Sequence, residues 1–380
     1  MKGSFMKFIL LAASLLISSA AFSWGGRGHD SICRTAVFLV KDKQLRDFLR
    51  NKPQLMGHVC NMPDFYWRGI NPEISKLGNP THFIDVEITG AQVKDIPDDY
   101  SKVMSEYTGT PNKFKNDGSK IFSVPTEFGS VWWRADQFYR LVSGMKKDFA
   151  EATPPANSKE EQNNDLPYNK LVYQMTVDMA LMGHFVGDTS QPFHTTADYD
   201  GYGTGHGGIH AYFEDGAVGE FDGDLDARVL KTARAMKDPS FLKPDSVVEK
   251  MKALSVISTA EVPKILKVDP VIEKSTVVKE HGMDIRTPAK RQDVHVGYEH
   301  FEKFIVTDLA RGAVLLAALW DESYANAGRP KLTAFKSYKY PFTVEFIAPD
   351  YITPTPGADS KAAGTPTASP SASPAASPVK

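Results

Sequence analysis

This 380-residue chain has little net charge. The 44 Lys and Arg residues nearly balance the 46 Asp and Glu residues, so the formal net charge is −2, and no basic block stands out. A protein that holds duplex DNA through broad counterion release is usually more basic. The composition argues against that mode of binding. It does not exclude an enzyme that takes short or single-stranded nucleic acid at a metal site.

Cysteine is scarce as well, because Cys33 and Cys60 are the only two. If the protein is exported, it meets oxidising conditions, and a disulfide between the two cysteines is then favoured. Such a bond would stabilise the fold by roughly 3–4 kcal/mol in the chain-entropy model. The alternative is a pair of separate buried thiols.

Long apolar runs are absent after residue 23, so no transmembrane segment is predicted. The N-terminus has the features of a secretory signal, with Lys2 and Lys7 before an apolar run over residues 8–17 and a small-x-small site at residues 21–23. We therefore expect residues 1–23 to be a cleaved signal peptide and the protein to be periplasmic or extracellular. The alternative is an uncleaved membrane anchor, for which the apolar run is short.

Residues 24–350 mix apolar and polar positions, which predicts one domain with a sizeable core. A monomer is expected. Residues 351–380 are rich in Pro, Ser and Ala and have almost nothing to bury, so they are predicted to form a disordered tail.

Helical periodicity dominates the domain and predicts an all-α fold with minor β-hairpins. The apolar spacing predicts helices over residues 29–49, 131–149, 171–186 and 295–324. Strand-like stretches are few, and they cover residues 83–88, 212–213 and 340–347. Loops are predicted over residues 152–167 and the glycine-rich residues 198–209, while residues 240–290 are ambiguous.

The segment from His184 to His194 has the spacing of a metal site. His184 and Asp188 are four residues apart at the end of an apolar helix, so both side chains project from one face. His194 follows six residues later, just beyond the helix end. Nitrogen and oxygen ligands in this arrangement suit zinc. The alternative is an Asp that caps a helix beside two unrelated histidines.

A second His-x3-acid pair follows at His210 and Glu214, which could hold one ion if both lie on a helix. Asp215 is a rival for Glu214, and His206 is a rival for His210. We favour His210 because apolar residues follow it, whereas His206 lies among glycines and is expected to be a solvated loop residue.

Further candidates lie nearer the N-terminus. His82 belongs to THFIDV, and Asp64 follows a proline in CNMPDFYWR. The stretch WGGRGHD, with Trp24 and His29, would stand at the N-terminus of the cleaved protein. Each of these residues is weak evidence by itself.

Taken together, these motifs resemble a superfamily that contains the zinc-dependent single-strand nucleases and 3′-nucleotidases and the bacterial zinc-dependent phospholipases C. The opening Trp-Gly-x-x-Gly-His of the nucleases matches residues 24–29, their metal-bridging Asp matches Asp64, and their His-Phe-Ile-Asp matches residues 82–85. The family's His-x3-Asp-x5-His and its final His-x3-acid pair match residues 184–194 and 210–214. The resemblance is strong only at these motifs.

The resemblance implies a mostly helical domain that holds three Zn2+ ions in a cleft. Two of the ligand atoms would be the amine and the carbonyl of an N-terminal Trp, and an internal Trp has no free amine. The implied ligand sets are Asp64, His82, His184 and Asp188 for one ion, Trp24, His29 and Asp188 for its close partner, and His194, His210 and Glu214 for the third.

The chain also departs from each branch of the superfamily. The nucleases use Asp as the last ligand, whereas Glu214 follows the phospholipase pattern. The spacing from Trp24 to His29 is typical of the nucleases instead. Residues 91–165 and 240–290 look like additions to both branches.

The resemblance implies a secreted phosphodiesterase, with single-stranded DNA, RNA or a 3′-nucleotide as its substrate. One alternative is a phospholipase C that cleaves phospholipid headgroups, and another is a non-catalytic zinc-binding surface protein. In the enzyme, Asp64 is the expected catalytic residue, which orients or deprotonates the attacking water. Arg68, one helical turn later, is a candidate phosphate contact. Aromatic residues that could stack a base are Phe65, Tyr66, Trp67 and Tyr199.

Overall fold

The computed structural model describes residues 24–115, 117–281, 283–332 and 343–352. The expected signal peptide over residues 1–23 lies outside the described residues, and so do residues 353–380 of the predicted tail. Tyr351 and Ile352, which the prediction placed at the start of the tail, pack against the core instead. Residues 343–347, the described part of one predicted strand, do not form a strand.

The fold is all-α with minor β-hairpins, as predicted. The α-helices are Gly25–Ala36, Lys43–Leu49, Pro53–Cys60, Arg68–Ile70, Pro72–Gly78, Tyr100–Tyr107, Val124–Glu127, Val131–Gly144, Lys146–Glu151, Ser158–Glu161, Pro167–Ser190, Ile209–Ala211, Leu225–Ala235, Val247–Thr259, Val262–Val268 and Val294–Asn326. Short π-helices cover Pro63–Trp67 and Tyr212–Ala217. The 3-10 helices are Asn79–His82, Val86–Ile88, Val93–Asp95, Pro192–Thr195, Tyr202–Thr204 and Ser240–Leu242.

Two small antiparallel pairs make up the strands that the structure describes. Val271–Glu273 pairs with Lys290–Arg291, and Thr276–Glu280 pairs with Met283–Thr287. Apart from Arg291, both pairs fall in the ambiguous stretch over residues 240–290, after two helices. Tyr212 and Phe213 were predicted as a strand, and they lie in a π-helix instead. The Phe213 ring packs against buried aromatic rings there, and this packing outweighs its β propensity.

The predicted helix over residues 29–49 is two helices. Asp42 interrupts it, because its carboxylate accepts hydrogen bonds from the backbone N–H groups of Gln44 and Leu45 and so begins a new helix. The predicted helices over residues 171–186 and 295–324 are each part of one longer helix, Pro167–Ser190 and Val294–Asn326.

The core forms where long helices meet. Pro167–Ser190 is buried along nearly its whole second half and packs against Val131–Gly144, Val294–Asn326 and Gly25–Ala36. Its apolar residues leave few positions that face water, which explains why it lies at the centre of the fold. The ligand candidates on this helix are therefore held by packed neighbours.

The predicted disulfide is present. Cys33 and Cys60 are bonded, with their Cα atoms 6.5 Å apart, and both residues are fully buried. The bond joins helix Gly25–Ala36 to helix Pro53–Cys60. In the described ranges, no helix has both the length and the apolar character needed to cross a membrane.

Asp178 makes the stability of the protein depend on pH. Burial raises the pKa of Asp178 to about 7, although the Gln174 amide donates a 2.9 Å hydrogen bond to its carboxylate. Because the folded pKa lies above the unfolded one, the neutral acid stabilises the fold fully below about pH 4. This contribution is lost as the pH rises towards 7, and the loss amounts to about 4 kcal/mol.

We therefore expect the Asp178→Asn variant to have a larger free energy of unfolding than the wild type above pH 7. The difference between the two proteins should shrink as the pH falls towards 4, and urea unfolding across this range measures it. A difference that is the same at every pH would contradict the assignment.

Candidate metal centre

Two central helices carry three of the ligand candidates. On helix Pro167–Ser190, His184 and Asp188 lie one turn apart on the same face, and both are fully buried. His29 lies on the neighbouring helix Gly25–Ala36, and its ring stacks on the ring of His184 with the centroids 4.0 Å apart. Three polar side chains therefore meet in the buried interior between these two helices.

The other ligand candidates come from tight helical turns. Asp64 lies in the π-helix Pro63–Trp67, and Glu214 lies in the π-helix Tyr212–Ala217. Such turns occur often at functional sites. The histidines His82 and His194 lie in the 3-10 helices Asn79–His82 and Pro192–Thr195.

Two overlapping groups form around His184. His29, Asp64 and His184 make one group, and His82, His184 and Asp188 make the other, each with its ligand atoms within 4.8 Å of one another. His82 Nδ1 lies 2.9 Å from His184 Nε2 and 3.1 Å from Asp188 Oδ2. The four residues that the resemblance assigned to one ion therefore lie together, with Asp64 Oδ1 3.6 Å from His82 Nδ1.

The third group contains His194, His210 and Glu214. His210 Nε2 lies 2.8 Å from Glu214 Oε2 and 3.0 Å from His194 Nε2. Asp215, the rival for Glu214, instead lies close to the backbone of Gly25, where a side chain would collide with its carboxylate. The structure thus brings Glu214, and not Asp215, to the two histidines.

Asp188 connects the groups. Its Oδ1 lies 3.4 Å from His29 Nε2 and 3.7 Å from His194 Nδ1, while its Oδ2 lies 3.5 Å from His184 Nε2. One carboxylate therefore contacts a histidine of every group.

Backbone carbonyls fix the orientation of two histidine rings. His184 Nδ1 lies 2.8 Å from the Cys60 carbonyl oxygen, and His194 Nδ1 lies 2.6 Å from the His82 carbonyl oxygen. A ring nitrogen that faces a carbonyl must carry the proton, so the Nε2 atom of each neutral ring has its lone pair directed into the centre. Metal-ligating histidines commonly have such a partner on their other nitrogen.

Burial controls the charge of the centre. It lowers the pKa values of His82, His184 and His194 well below the ordinary range, so these rings are neutral, which is the form that binds metal. Burial also raises the pKa of Asp188, and the nearby Asp64 carboxylate raises it further. His210 differs, because burial lowers its pKa but the carboxylates of Glu214, Asp200 and Asp215 together more than offset this, and its pKa is raised overall.

The donor atoms fit metal ions. Within the part of the chain that the structure describes, Asp188 Oδ1, Glu214 Oε1 and His210 Nδ1 are buried without a hydrogen-bond partner. Buried polar atoms without partners are costly, and a divalent cation at the centre would compensate the carboxylates. Imidazole and carboxylate ligands suit zinc and related metals. The three groups could therefore hold metal ions.

Trp24 lies at the edge of the third group. Its backbone nitrogen donates a 3.0 Å hydrogen bond to Glu214 Oε2, and its buried indole donates to Ser190 Oγ. Its carbonyl oxygen accepts a hydrogen bond from the Gly28 N–H. The resemblance assigned Trp24 to the same ion as His29, whereas its nitrogen here lies beside a ligand of the third group.

A cavity of about 540 Å3 opens beside the centre. Its lining includes His82, His194 and His210 of the groups, and also Arg68, Phe83 and Tyr199. A molecule in this cavity would therefore contact ligands of two groups at once.

Arg68 and the aromatic candidates differ in position. Arg68 Nε lies 3.1 Å from Asp64 Oδ1, and part of its side chain reaches solvent. Trp67 is buried, and its indole donates a hydrogen bond to the Val344 carbonyl, so it is a packing residue. Phe65 is 57% exposed, and Tyr199 is 45% exposed in the cavity wall.

His206 has a structural contact, so the expectation of a solvated loop residue was wrong. Its Nδ1 lies 2.7 Å from Asp269 Oδ2, and Arg291 also pairs with Asp269. The Asp269 side chain is fully buried, and its ion pair with Arg291 offsets the cost of desolvating the carboxylate. This contact joins the glycine-rich loop to the strand pair that follows it.

Gln191, which the sequence did not single out, contacts a ligand candidate. Its side-chain N–H donates a 2.7 Å hydrogen bond to Glu214 Oε2, and its Oε1 accepts from the Phe193 backbone N–H. It therefore supports both Glu214 and the turn that carries His194. The only available signal was the Gln-Pro pair just before that histidine.

A comparison of the chain with protein-family models finds no match, and a search of curated proteins finds none either.

Proposed function

We propose that the chain is an exported zinc-dependent phosphodiesterase that hydrolyses single-stranded nucleic acid and 3′-nucleotides. The observation that carries the proposal is the set of three buried His/Asp/Glu groups, which Asp188 connects and two of which contribute residues to one cavity. Closely spaced metal ions beside a cleft are typical of enzymes that catalyse displacement at phosphorus.

Zinc is the proposed metal because five histidines join three carboxylates in the groups. Calcium and magnesium prefer all-oxygen sites, whereas imidazole suits zinc. When bound, the ions would supply Lewis acidity that polarises phosphoryl oxygens and lowers the pKa of water.

The residues of the chain orient the reactants in this proposal. The guanidinium of Arg68 has five N–H donors, so it can hold Asp64 and also contact a phosphate oxygen in the cavity. Asp64 orients the attacking water and accepts its proton. Phe83 and Tyr199 line the cavity, and aromatic side chains there could stack on a base, which supports a nucleotide substrate.

The second candidate function is a phospholipase C, and one hairpin favours it. Strands Thr276–Glu280 and Met283–Thr287 place Val278 opposite Ile285, and both side chains are about half exposed. The hairpin adjoins the glycine-rich loop over residues 198–209, which also supplies part of the cavity wall. An exposed apolar surface near a cleft suits a lipid substrate.

A substrate panel tests the proposal. The zinc-loaded protein that begins at Trp24 should be offered single-stranded DNA, RNA, a 3′-nucleotide and phosphatidylcholine vesicles. We expect release of nucleotides or inorganic phosphate from the first three. Hydrolysis of the lipid alone would replace the nuclease with the phospholipase. If the protein holds zinc but hydrolyses none of these substrates, the proposal is wrong and the chain is a non-catalytic zinc-binding protein.

The Asp64→Asn variant tests the role of the carboxylate. It should keep most of its zinc, because the histidines remain, but lose turnover by roughly 100-fold or more, as expected for removal of a general base. Metal content and kcat are the measurements. Asp47→Asn, at an exposed helix position, is the matched control and should change neither. Unchanged turnover in Asp64→Asn would rule out the role.

A further inference from the structure

The disulfide lies next to the group of His29, Asp64 and His184. Cys33 is on the same helix as His29, one turn later, and Cys60 ends the helix that precedes Asp64 by one turn. The bond therefore connects the two elements that bring His29 and Asp64 together. Their positions relative to each other depend on a covalent link.

The same disulfide also supports His184, which belongs to that group. The Cys60 carbonyl oxygen lies 2.8 Å from His184 Nδ1 and so sets the direction of the His184 lone pair. Gly183, the residue before His184, packs against both sulfur atoms, and a methyl group there would collide with Cys33 Sγ. Helix Pro167–Ser190 therefore contacts the disulfide at the residue next to His184.

The third group is held in a different way. His194 is oriented by the carbonyl of His82, and Glu214 is held by Gln191 and the backbone of Trp24. None of these contacts, as the described residues make them, involves either cysteine.

We propose that Cys33 and Cys60 are positioning residues for the two metal groups that share His184, and that their disulfide sets the metal affinity of those groups but not that of the third group. This inference rests on the metal centre of the proposed function and deepens it, because it assigns separate supports to separate ions. Loss of the disulfide should then remove metal selectively.

The test is the metal content of the Cys33→Ser/Cys60→Ser double variant. Reducing the wild type is less suitable, because free thiols and thiol reductants bind zinc themselves. After equilibration with buffered zinc, we expect the wild type to hold three ions and the double variant to hold one. A chelator titration should show affinities about 10- to 100-fold weaker for the other two, as for the loss of a residue that orients ligands.

Two further variants keep the test independent of general destabilisation. Leu49→Ala removes a buried side chain on another helix while the disulfide stays intact, and it should keep all three ions. Gly183→Ala also keeps both cysteines, but its methyl group would collide with Cys33 Sγ and displace the disulfide. It should therefore show the same selective loss of two metal ions.

The outcomes separate the inference from the function. Three unchanged affinities in the double variant would overturn it, and so would an equal loss from all three groups. A wild type that binds no metal would overturn both the inference and the proposed function. A wild type that holds three ions without hydrolysing any substrate would overturn the function alone, since the selective loss of metal would still be measurable.

Discussion

Replacing Asp188 with asparagine is expected to lower kcat/KM by at least roughly 1000-fold, or about 4 kcal/mol of transition-state stabilisation. The reason is its central position, because its two oxygens lie 3.4 Å from His29 Nε2 and 3.5 Å from His184 Nε2. An amide has the same shape but lacks the negative charge that would bridge two cations. At least one metal ion should be lost as well.

Without metal, the Asp188→Asn protein should be at least as stable as the wild type, although it is less active. Burial and the neighbouring Asp64 raise the pKa of Asp188, so its ionised form is costly when no cation is present. Without metal, the variant should therefore unfold at a temperature equal to or above that of the wild type at pH 8. With zinc, the order should reverse, because bound metal stabilises the wild type more.

Asp178→Asn is the matched control for this experiment. Asp178 is also a buried acid on helix Pro167–Ser190, but its carboxylate pairs with Gln174 instead of the histidines. Its replacement should leave the metal content and kcat/KM unchanged. If both variants lost activity equally, the loss would reflect damage to the helix, and the central role of Asp188 would be wrong.

Periodicity predicted the central elements of the fold because their burial is one-sided or complete. Helix Pro167–Ser190 could be predicted from its apolar run, and the spacing of His184 and Asp188 then fixed their common face. The π-helical turns at Asp64 and Glu214 could not be predicted, because a single extra residue in a turn leaves no periodic signal.

Contacts between distant residues were the least predictable feature. The pairing of His206 with Asp269 joins residues 63 positions apart, and nothing in the glycine-rich segment indicates the partner. The backbone of Trp24 meets Glu214 across 190 positions. Only the resemblance suggested that Trp24 is near the metal centre, and it suggested a different neighbour.

Protein that keeps residues before Trp24 is expected to be nearly inactive. The Trp24 backbone nitrogen lies 3.0 Å from Glu214 Oε2 in a fully buried position. A free amine there has a lone pair for a metal ion, whereas an amide nitrogen can only donate a hydrogen bond. We expect protein extended by Ser23 to hold one ion fewer and to lose activity by roughly 100-fold or more, since about 2.7 kcal/mol of metal-dependent stabilisation would be absent.

A Trp24→Phe protein with a free N-terminus separates the amine from the indole. It loses the hydrogen bond from the indole to Ser190 Oγ but keeps the amine beside Glu214. It should therefore retain three ions and most of its activity, with a lower melting temperature. If the extended protein kept three ions and full activity, the nitrogen of Trp24 would serve only to hold Glu214 in place. In that case cleavage before Trp24 would not control the assembly of the metal centre.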